Sequence, residues 1–336
     1  LLWARNVVAM TKTSAGNLDK RYDVVIVGGG AAGLAAAVTL ARARRAVLVI
    51  DSGAPRNAPA GHIHNYLGRE GSAPADLLAD GRADAIGYGA EVLAGTAVSA
   101  EREPHGFRIL LDDGSAVLAR RLLVTTGLVD ELPDIPGLES RWGREVLHCP
   151  YCHGWEVREQ RIGVLGTGPL AVHQALMWRQ WCEDVTLFLR AELGAEDAES
   201  LAARGITVER GAVAGLALTV DDGGAERFDG VRLEDGTVVP VQAVVVASTM
   251  VARADVLTSL GLEPVELEMG GHVIGSAVPA DAMGTTAVPG VWVAGNVTDL
   301  KSQLIIAAGA GLTAATAINA DLSAEDTRLA VAAHRS

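Results

Sequence analysis

Basic residues are few: 28 Lys and Arg stand against 41 Asp and Glu, a formal net charge of −13. No basic surface is then available for phosphates, which argues against a nucleic-acid or anionic-membrane partner. No apolar run reaches the roughly 18 to 20 residues needed to cross a bilayer. Leu1 to Met10 is apolar in patches, but Arg5 and Asn6 interrupt it, so it lacks the core of a signal peptide. Met10 reads as a candidate natural start, residues 1–20 as a flexible lead, and the address as cytoplasmic. Cysteines number only three. In a cytoplasmic chain a close pair of them is more often catalytic or metal-binding than structural. Aromatic residues are also scarce, at 4%, whereas glycine and alanine are abundant. That mix suits α/β layers, in which helices pack closely on a parallel sheet.

With 336 residues, 49% of them hydrophobic, the chain is too long for one ordinary core and reads as two domains. Residues 24–27 are a continuous apolar run. Gly28-Gly29-Gly30-Ala31-Ala32-Gly33 follows, then an Ala/Leu-rich helical stretch to Arg45 and a second apolar run, 46–50, ending at Asp51. This is a strand, tight turn, helix and strand, one βαβ unit. Residues 107–124 read as a hairpin around Asp112-Asp113-Gly114 that leads into Thr125-Thr126-Gly127. The order then repeats: a strand over 161–165, the turn Gly166-Thr167-Gly168-Pro169-Leu170-Ala171, a helix over 171–182 and a strand over 185–189. A meander through Asp221-Asp222-Gly223-Gly224 and Asp235-Gly236 closes on a strand over 242–249. After residue 250 there is one buried strand, 290–295, and an Ala-rich helix, 305–322. The economical arrangement is a pair of Rossmann-like dinucleotide-binding domains of the three-layer ββα type, the second inserted into the first. The expected boundaries are 21–127 plus 249–323 for the first domain, 128–248 for the second, and 324–336 as a C-terminal tail.

Each glycine cluster has a physical reason. Gly28 allows the tight turn, Gly30 lets a pyrophosphate approach the backbone, and Gly33 lets helix and strand pack closely. The helix start at Ala31 and Ala32 supplies free N–H groups and positive dipole for phosphates. Asp51, roughly twenty residues on, is placed to accept from a ribose hydroxyl. The second cluster is weaker. Gly166 and Gly168 fit, but Ala171 replaces the third glycine, and Arg190 stands where an acid would close the next strand. An Arg there favours a 2′-phosphate, hence NADPH over NADH. The alternative is a retained fold that binds nicotinamide poorly.

Cys149-Pro150-Tyr151-Cys152 lies just before the second unit, near a helix start that would lower a thiol pKa. A redox dithiol is the leading reading. A zinc site wants four ligands, and only Cys182 remains. Cys149-x-x-Cys152-His153 also matches the haem c attachment pattern, which needs export. Inert core cysteines are the bland alternative. His62 and His64 flank an isoleucine, and two histidines alone do not make a metal site.

These motifs resemble the low-molecular-weight thioredoxin reductase family over about 20–323, since that family also carries its CxxC just before the first strand of an inserted NADPH domain. Gly295-Asn296 followed by Gln303 is similar to the family's closing flavin motif, with Asn296 where an Asp is usual. Asp51-Ser52-Gly53-Ala54-Pro55-Arg56-Asn57, His64 and Cys149 to Glu156 resemble the branch of FAD dithiol oxidases that close disulfides in holomycin, gliotoxin and romidepsin biosynthesis. The resemblance implies FAD as cofactor, with Ser52, Arg56, Asn57, His64, Thr126, Gly127, Asn296, Gln303 and Leu304 joining the glycine turn in its site. It also implies a homodimer. Two departures from the reductases weaken NADPH-driven reduction: His153 replaces the acid after the second cysteine, and Arg190 alone remains of a basic cluster.

The mechanism so implied is oxidation of a small-molecule or peptide dithiol. A substrate thiolate attacks Cys149, the second thiol resolves the mixed disulfide, Cys152 is the flavin-proximal sulfur, His153 shuttles protons and oxygen is the final acceptor. The reverse flow, from NADPH to a thioredoxin or small disulfide, stays open, as does a flavin sensor without turnover.

Overall fold

The computed structural model describes residues 20–168, 170–220, 223–224 and 226–336. Residues 1–19 of the lead expected at 1–20, Pro169 of the second turn, and Asp221 and Asp222 of the meander lie outside the described residues.

Four sheets organise the described residues. The largest is built on Arg21–Val27, which pairs in parallel with Val47–Asp51 on one side and Ala116–Val124 on the other. Glu91–Ala94 extends it beyond Val47–Asp51. Its apolar run Val24 to Val27 is buried, as expected of a strand with both faces covered. Ala116–Val124 serves two partners along one edge: its start pairs with the hairpin strand Gly106–Leu111, and its end with Val291–Val293, which returns from far along the chain. The second sheet is wholly parallel, in the order Thr207–Glu209, Val185–Phe188, Ile162–Leu165, Ala243–Val245, Val146–Leu147. A small antiparallel sheet packs beside it. Between the two large sheets the chain crosses twice, outward along Leu128–Glu131 and back along Thr249–Ala252, and these crossings pair antiparallel.

Helix Ala31–Arg42 covers the first sheet, and the long helix Leu304–Arg335 packs against it. Their closeness depends on Gly311: a Cβ there would stand 2.0 Å from the Ala32 carbonyl oxygen.

Several elements differ from the sequence reading. The run at 242–249 is two strands, Ala243–Val245 and Thr249–Ala252, and the second helix stops at Trp178 before Cys182. The segment 324–336, expected as a tail, is helical through Arg335. Ion pairs hold it: Arg45 reaches Asp326 at 2.7 Å, and Arg120 reaches Glu325 at 2.7 Å. Among the described residues this one helix is long and apolar enough to cross a membrane by length and composition. Polar residues such as Thr313 and Asn319 interrupt it, so it holds no continuous apolar run of that length. Its Ala307, Ala314, Ala315, Ile318 and Leu322 are buried in the first core.

Candidate active site

At the first glycine turn, sterics assign each glycine a task. Gly28 has φ +107°, and a Cβ on it would meet the Thr125 carbonyl oxygen at 2.5 Å. On Gly33 it would come within 1.9 Å of the Gly28 oxygen. On Gly30 it would meet nothing within 4 Å, so the turn leaves an open cradle there. Gly30 caps the helix without a side-chain bond, and no acid occupies the first turn. Among the described residues no acceptor reaches the N–H groups of Ala31, Ala32 and Gly33. Asp51 accepts from the Gly29 N–H at 3.2 Å and from Arg82 at 3.0 Å. Its carboxylate retains lone pairs for a further donor. Arg82, which the sequence reading missed, keeps a buried Nε without a partner. Thr125, also missed, ties the turn by donating to the Val27 and Gly28 oxygens.

Other candidates follow paired strands of the same sheet, Ala116–Val124 and Val291–Val293. Thr126 donates to the Arg253 oxygen at 2.6 Å, and Gly127 takes φ +73°. Gly295, seated against Ala32, opens the short turn that holds Asn296. Asn296 spends its amide donors on the Asp299 and Ser302 oxygens, and Gln303 caps the helix that begins at Leu304. Ser52 is exposed and Asn57 half-buried.

Arg56 and His64 belong to another cluster. The Arg56 guanidinium makes a bidentate pair with Asp130, at 2.6 and 2.7 Å, and Ser248 donates to the same carboxylate at 2.8 Å. Burial alone would raise the Asp130 carboxyl, yet Arg56 and Ser248 hold it below the usual carboxylate range. His64 engages both ring nitrogens with carboxylates, Glu70 at 2.5 Å and Glu156 at 3.3 Å. Next to it, Asn65 donates to the Tyr151 carbonyl at 2.6 Å. One loop after the second strand thus reaches the cysteine segment. Sequence spacing carried no signal of these long-range partners.

The cysteine pair opens a four-residue helix, Pro150–His153, with Cys149 as N-cap and proline at the first position. Gly154 lets the turn lie on Trp181: a Cβ there would stand 2.9 Å from the indole. Both thiols are half-buried and unbridged, whereas Cys182 is buried in the second core. The hydrogen bond from Cys152, with backbone N–H groups of Cys152 and Tyr151 and the charge of Arg56, outweighs burial and lowers Cys149 to about 7. Cys152, which donates to that sulfur and is also partly buried, is pushed far up. Burial lowers His153, and the neighbouring His64 and His148 add to this against Glu156, so its ring is neutral at neutral pH. His148, which the sequence reading missed, is likewise lowered by burial and lies against Trp142. In the reduced protein, iodoacetamide should therefore label Cys149 with a rate that climbs with pH and is half-maximal near 7. A midpoint at the ordinary thiol value of about 8.5 would contradict this asymmetry.

The second glycine turn differs from the first. Gly166 is pinned by the Phe188 oxygen, 2.6 Å from a Cβ placed there, and Gly168 is open. The helix, however, begins only at Ala171, behind Leu170. Pro169 follows Gly168 as Ala31 follows Gly30, and proline has no N–H to offer a phosphate. Arg190 is exposed and has no ion pair among the described residues. Among those residues, too, no group of three or more His, Cys, Asp or Glu side chains could hold a metal.

Two dinucleotide turns with a Cys-x-x-Cys between them are matched by a family model, pyridine nucleotide-disulphide oxidoreductase, over residues 22–317. The chain belongs to this family. Thioredoxin reductase tcpT of Claviceps purpurea (strain 20.1) is 32% identical over 258 residues, 72% of this chain and 78% of that protein. A probable thioredoxin reductase of Arthroderma benhamiae is 35% identical over 155 residues, and the match spans only 38% of that relative's length. The crystal structure of HlmI superimposes with a TM-score of 0.84 at 46% identity, covering 93% of this chain and 95% of that one. The chain is therefore a thioredoxin-reductase-like oxidoreductase. The family implies FAD and a nicotinamide nucleotide in general terms. The first turn fits the former: an open cradle, three free N–H groups and an unpartnered buried guanidinium donor suit a pyrophosphate. The second turn fits its nucleotide less well, having one donor fewer.

Proposed function

We propose that the chain is an FAD-dependent dithiol oxidase, with residues 21–127 and 249–323 holding the flavin and 128–248 carrying the cysteine pair. The observation that carries this reading is the asymmetry of the two turns, one equipped for a pyrophosphate and the other short of a donor and of basic partners. Three contacts add support. Arg56 to Asp130 ties the loop after the second strand to the outward crossing, and His64 to Glu156 and Asn65 to Tyr151 tie it to the cysteine segment. They oppose the domain rotation that would bring a nicotinamide to the flavin in the cysteines' place. The resemblance to disulfide-closing oxidases points the same way.

In the oxidised pair, a substrate thiol gives its proton to neutral His153 and its sulfur attacks Cys149. The Cys149–Cys152 bond breaks. Cys152 is a poor leaving group as a thiolate, so His153 returns the proton to it as it departs. The second substrate thiol then gives its proton to His153, neutral once more, attacks the substrate sulfur of the mixed disulfide and expels Cys149, which leaves readily as a thiolate. A disulfide departs: the pair holds the two electrons that the dithiol has lost, Cys152 holds one of its protons and His153 the other. Bound FAD would supply a two-electron acceptor and, through dioxygen, an exit as hydrogen peroxide. A reductase reading keeps some support from the relatives named thioredoxin reductases and from Arg190.

Anaerobic mixing of the yellow protein with dithiothreitol or NADPH separates the two. Expected are rapid bleaching by dithiothreitol, little by NADPH, and recovery in air with one peroxide per dithiol. Rapid bleaching by NADPH, with electrons then passing to a disulfide, would make the chain a reductase.

A further inference from the structure

Three turns lie side by side along one end of the first sheet. Val27, Val124 and Val293 are neighbours in register on parallel strands. After them come the glycine turn at 28–30, Thr125-Thr126-Gly127 and Ala294-Gly295-Asn296. Asp51 ends the strand on the other side of Arg21–Val27. Ligands of such sheets lie outside the carboxyl ends of the strands. A dinucleotide with its ribose at Asp51 and its pyrophosphate on the Gly30 cradle therefore carries its far half towards Asn296, two strand spacings or about 10 Å further on. At that end one amide holds a loop together. Asn296 Nδ2 donates to the Asp299 carbonyl at 2.9 Å, the Ser302 carbonyl at 3.0 Å and the Leu300 carbonyl at 3.4 Å. Among the described residues the Leu300 and Ser302 oxygens meet no other donor. Asp299 turns its own carboxylate to the Lys301 N–H at 3.1 Å and the Ser302 hydroxyl at 2.6 Å. Gly295, with φ +77°, seats this turn on the start of the first helix, where a Cβ would stand 3.1 Å from that of Ala32. Ser302 is buried and leads into Gln303, the cap of Leu304–Arg335, so the same amide sets where the long helix begins.

We infer that Asn296 is a positioning residue for the flavin half of the cofactor, and that it acts as a donor: its N–H groups hold residues 299–302 closed beside the first turn. This rests on the FAD site proposed above and adds a requirement at position 296. Asn296 stands where an Asp is usual in the motif it resembles, and the loop gives a reason. A carboxylate would put an oxygen where the amide now donates at 2.9 and 3.0 Å, and the Leu300 and Ser302 carbonyls would lose the donor they have. The negative charge is disfavoured among carbonyl oxygens, so a carboxyl placed there holds its proton to higher pH than an ordinary one. Protonated, it could donate to one of the carbonyls; ionised, it could donate to none. The residue usual in the motif should therefore harm this chain, and harm it more as pH rises.

The test titrates apoprotein with FAD and with ADP, which can reach Asp51 and the Gly30 cradle but has no flavin half. Each variant is compared with wild type at the same pH, so that titration of Asp299 and other native groups cancels. Asn296→Asp should bind FAD at least about tenfold more weakly at pH 8, and within about threefold of wild type at pH 5. Asn296→Ala should lose FAD affinity to a similar extent at both pH values. ADP affinity should change by less than about twofold in either variant, because its contacts lie two strands away. Wild-type FAD affinity in Asn296→Asp at pH 8, or a loss of the same size at pH 5 and pH 8, overturns the inference. So does an equal loss for FAD and ADP, which would give the amide a general role in folding. Should Asn296→Asp fail to fold, Asn296→Ser keeps one donor and should bind FAD more tightly than Asn296→Ala; equal affinities overturn the inference. If wild-type apoprotein does not bind FAD, the flavin reading itself has failed.

Discussion

Replacing Cys152 by serine abolishes dithiol-driven bleaching of the flavin, with a loss of roughly 10³-fold or more, while the protein stays yellow. A redox pair acts as a unit, so losing one member costs about as much as losing both. In Cys152→Ser no Cys149–Cys152 bond can form, and a substrate thiol finds no disulfide to attack. The flavin is expected to remain because the cradle at Gly30, the free N–H groups after it and Asp51 lie in the first sheet's turn, away from the cysteine helix. Serine is close in size to cysteine, and the short helix starts with Pro150 whatever occupies position 152. Stopped-flow absorbance under anaerobic conditions gives the rate, and the flavin spectrum gives occupancy. Bleaching at the wild-type rate would remove the pair from the mechanism, and the oxidase reading with it.

The parts of this site that could be read from sequence are those that backbone geometry forces. Gly28, with its positive φ, and Gly33, with no room for a Cβ, leave a fixed spacing because no other residue fits. The Cys-x-x-Cys pair is legible for a similar reason, since one turn of helix brings the sulfurs together. Side-chain partners across the fold are another matter. Asp130 lies on a crossing strand and Ser248 beside the other, and both meet Arg56 only because the two crossings pair. The resemblance alone assigned Arg56 and His64 to the flavin. In the structure their polar atoms face Asp130, Glu70 and Glu156. His148 precedes Cys149 with nothing in its spacing to single it out; burial, the Val246 oxygen and Trp142 distinguish it. At the C-terminus, apolar periodicity ends near Leu322, but arginines from three distant positions, 45, 120 and 121, fasten the helix beyond it.

Two neighbouring glycines separate folding from cofactor binding. Gly33→Ala places a Cβ 1.9 Å from the Gly28 carbonyl oxygen, a backbone atom that can yield only if helix and strand part. Overpacking of this kind costs about 1–3 kcal/mol or more, so Gly33→Ala should lower the melting temperature by several degrees and deplete the flavin as well. Gly30→Ala should behave differently. Gly30 has φ −78°, which alanine adopts freely, and its Cβ would meet no protein atom within 4 Å. The apoprotein should melt within about a degree of wild type, since such a change is neutral or slightly stabilising through the unfolded chain. The added methyl would instead fill the cradle where a pyrophosphate approaches, beside the free N–H groups of Ala31 to Gly33. FAD affinity is then expected to fall tenfold or more, about 1.4 kcal/mol at the least. Titration of both apoproteins with FAD, followed by flavin fluorescence, reads this directly. Wild-type affinity in a normally stable Gly30→Ala protein would mean that the open space at Gly30 does not receive the cofactor, and the first turn would lose its assignment.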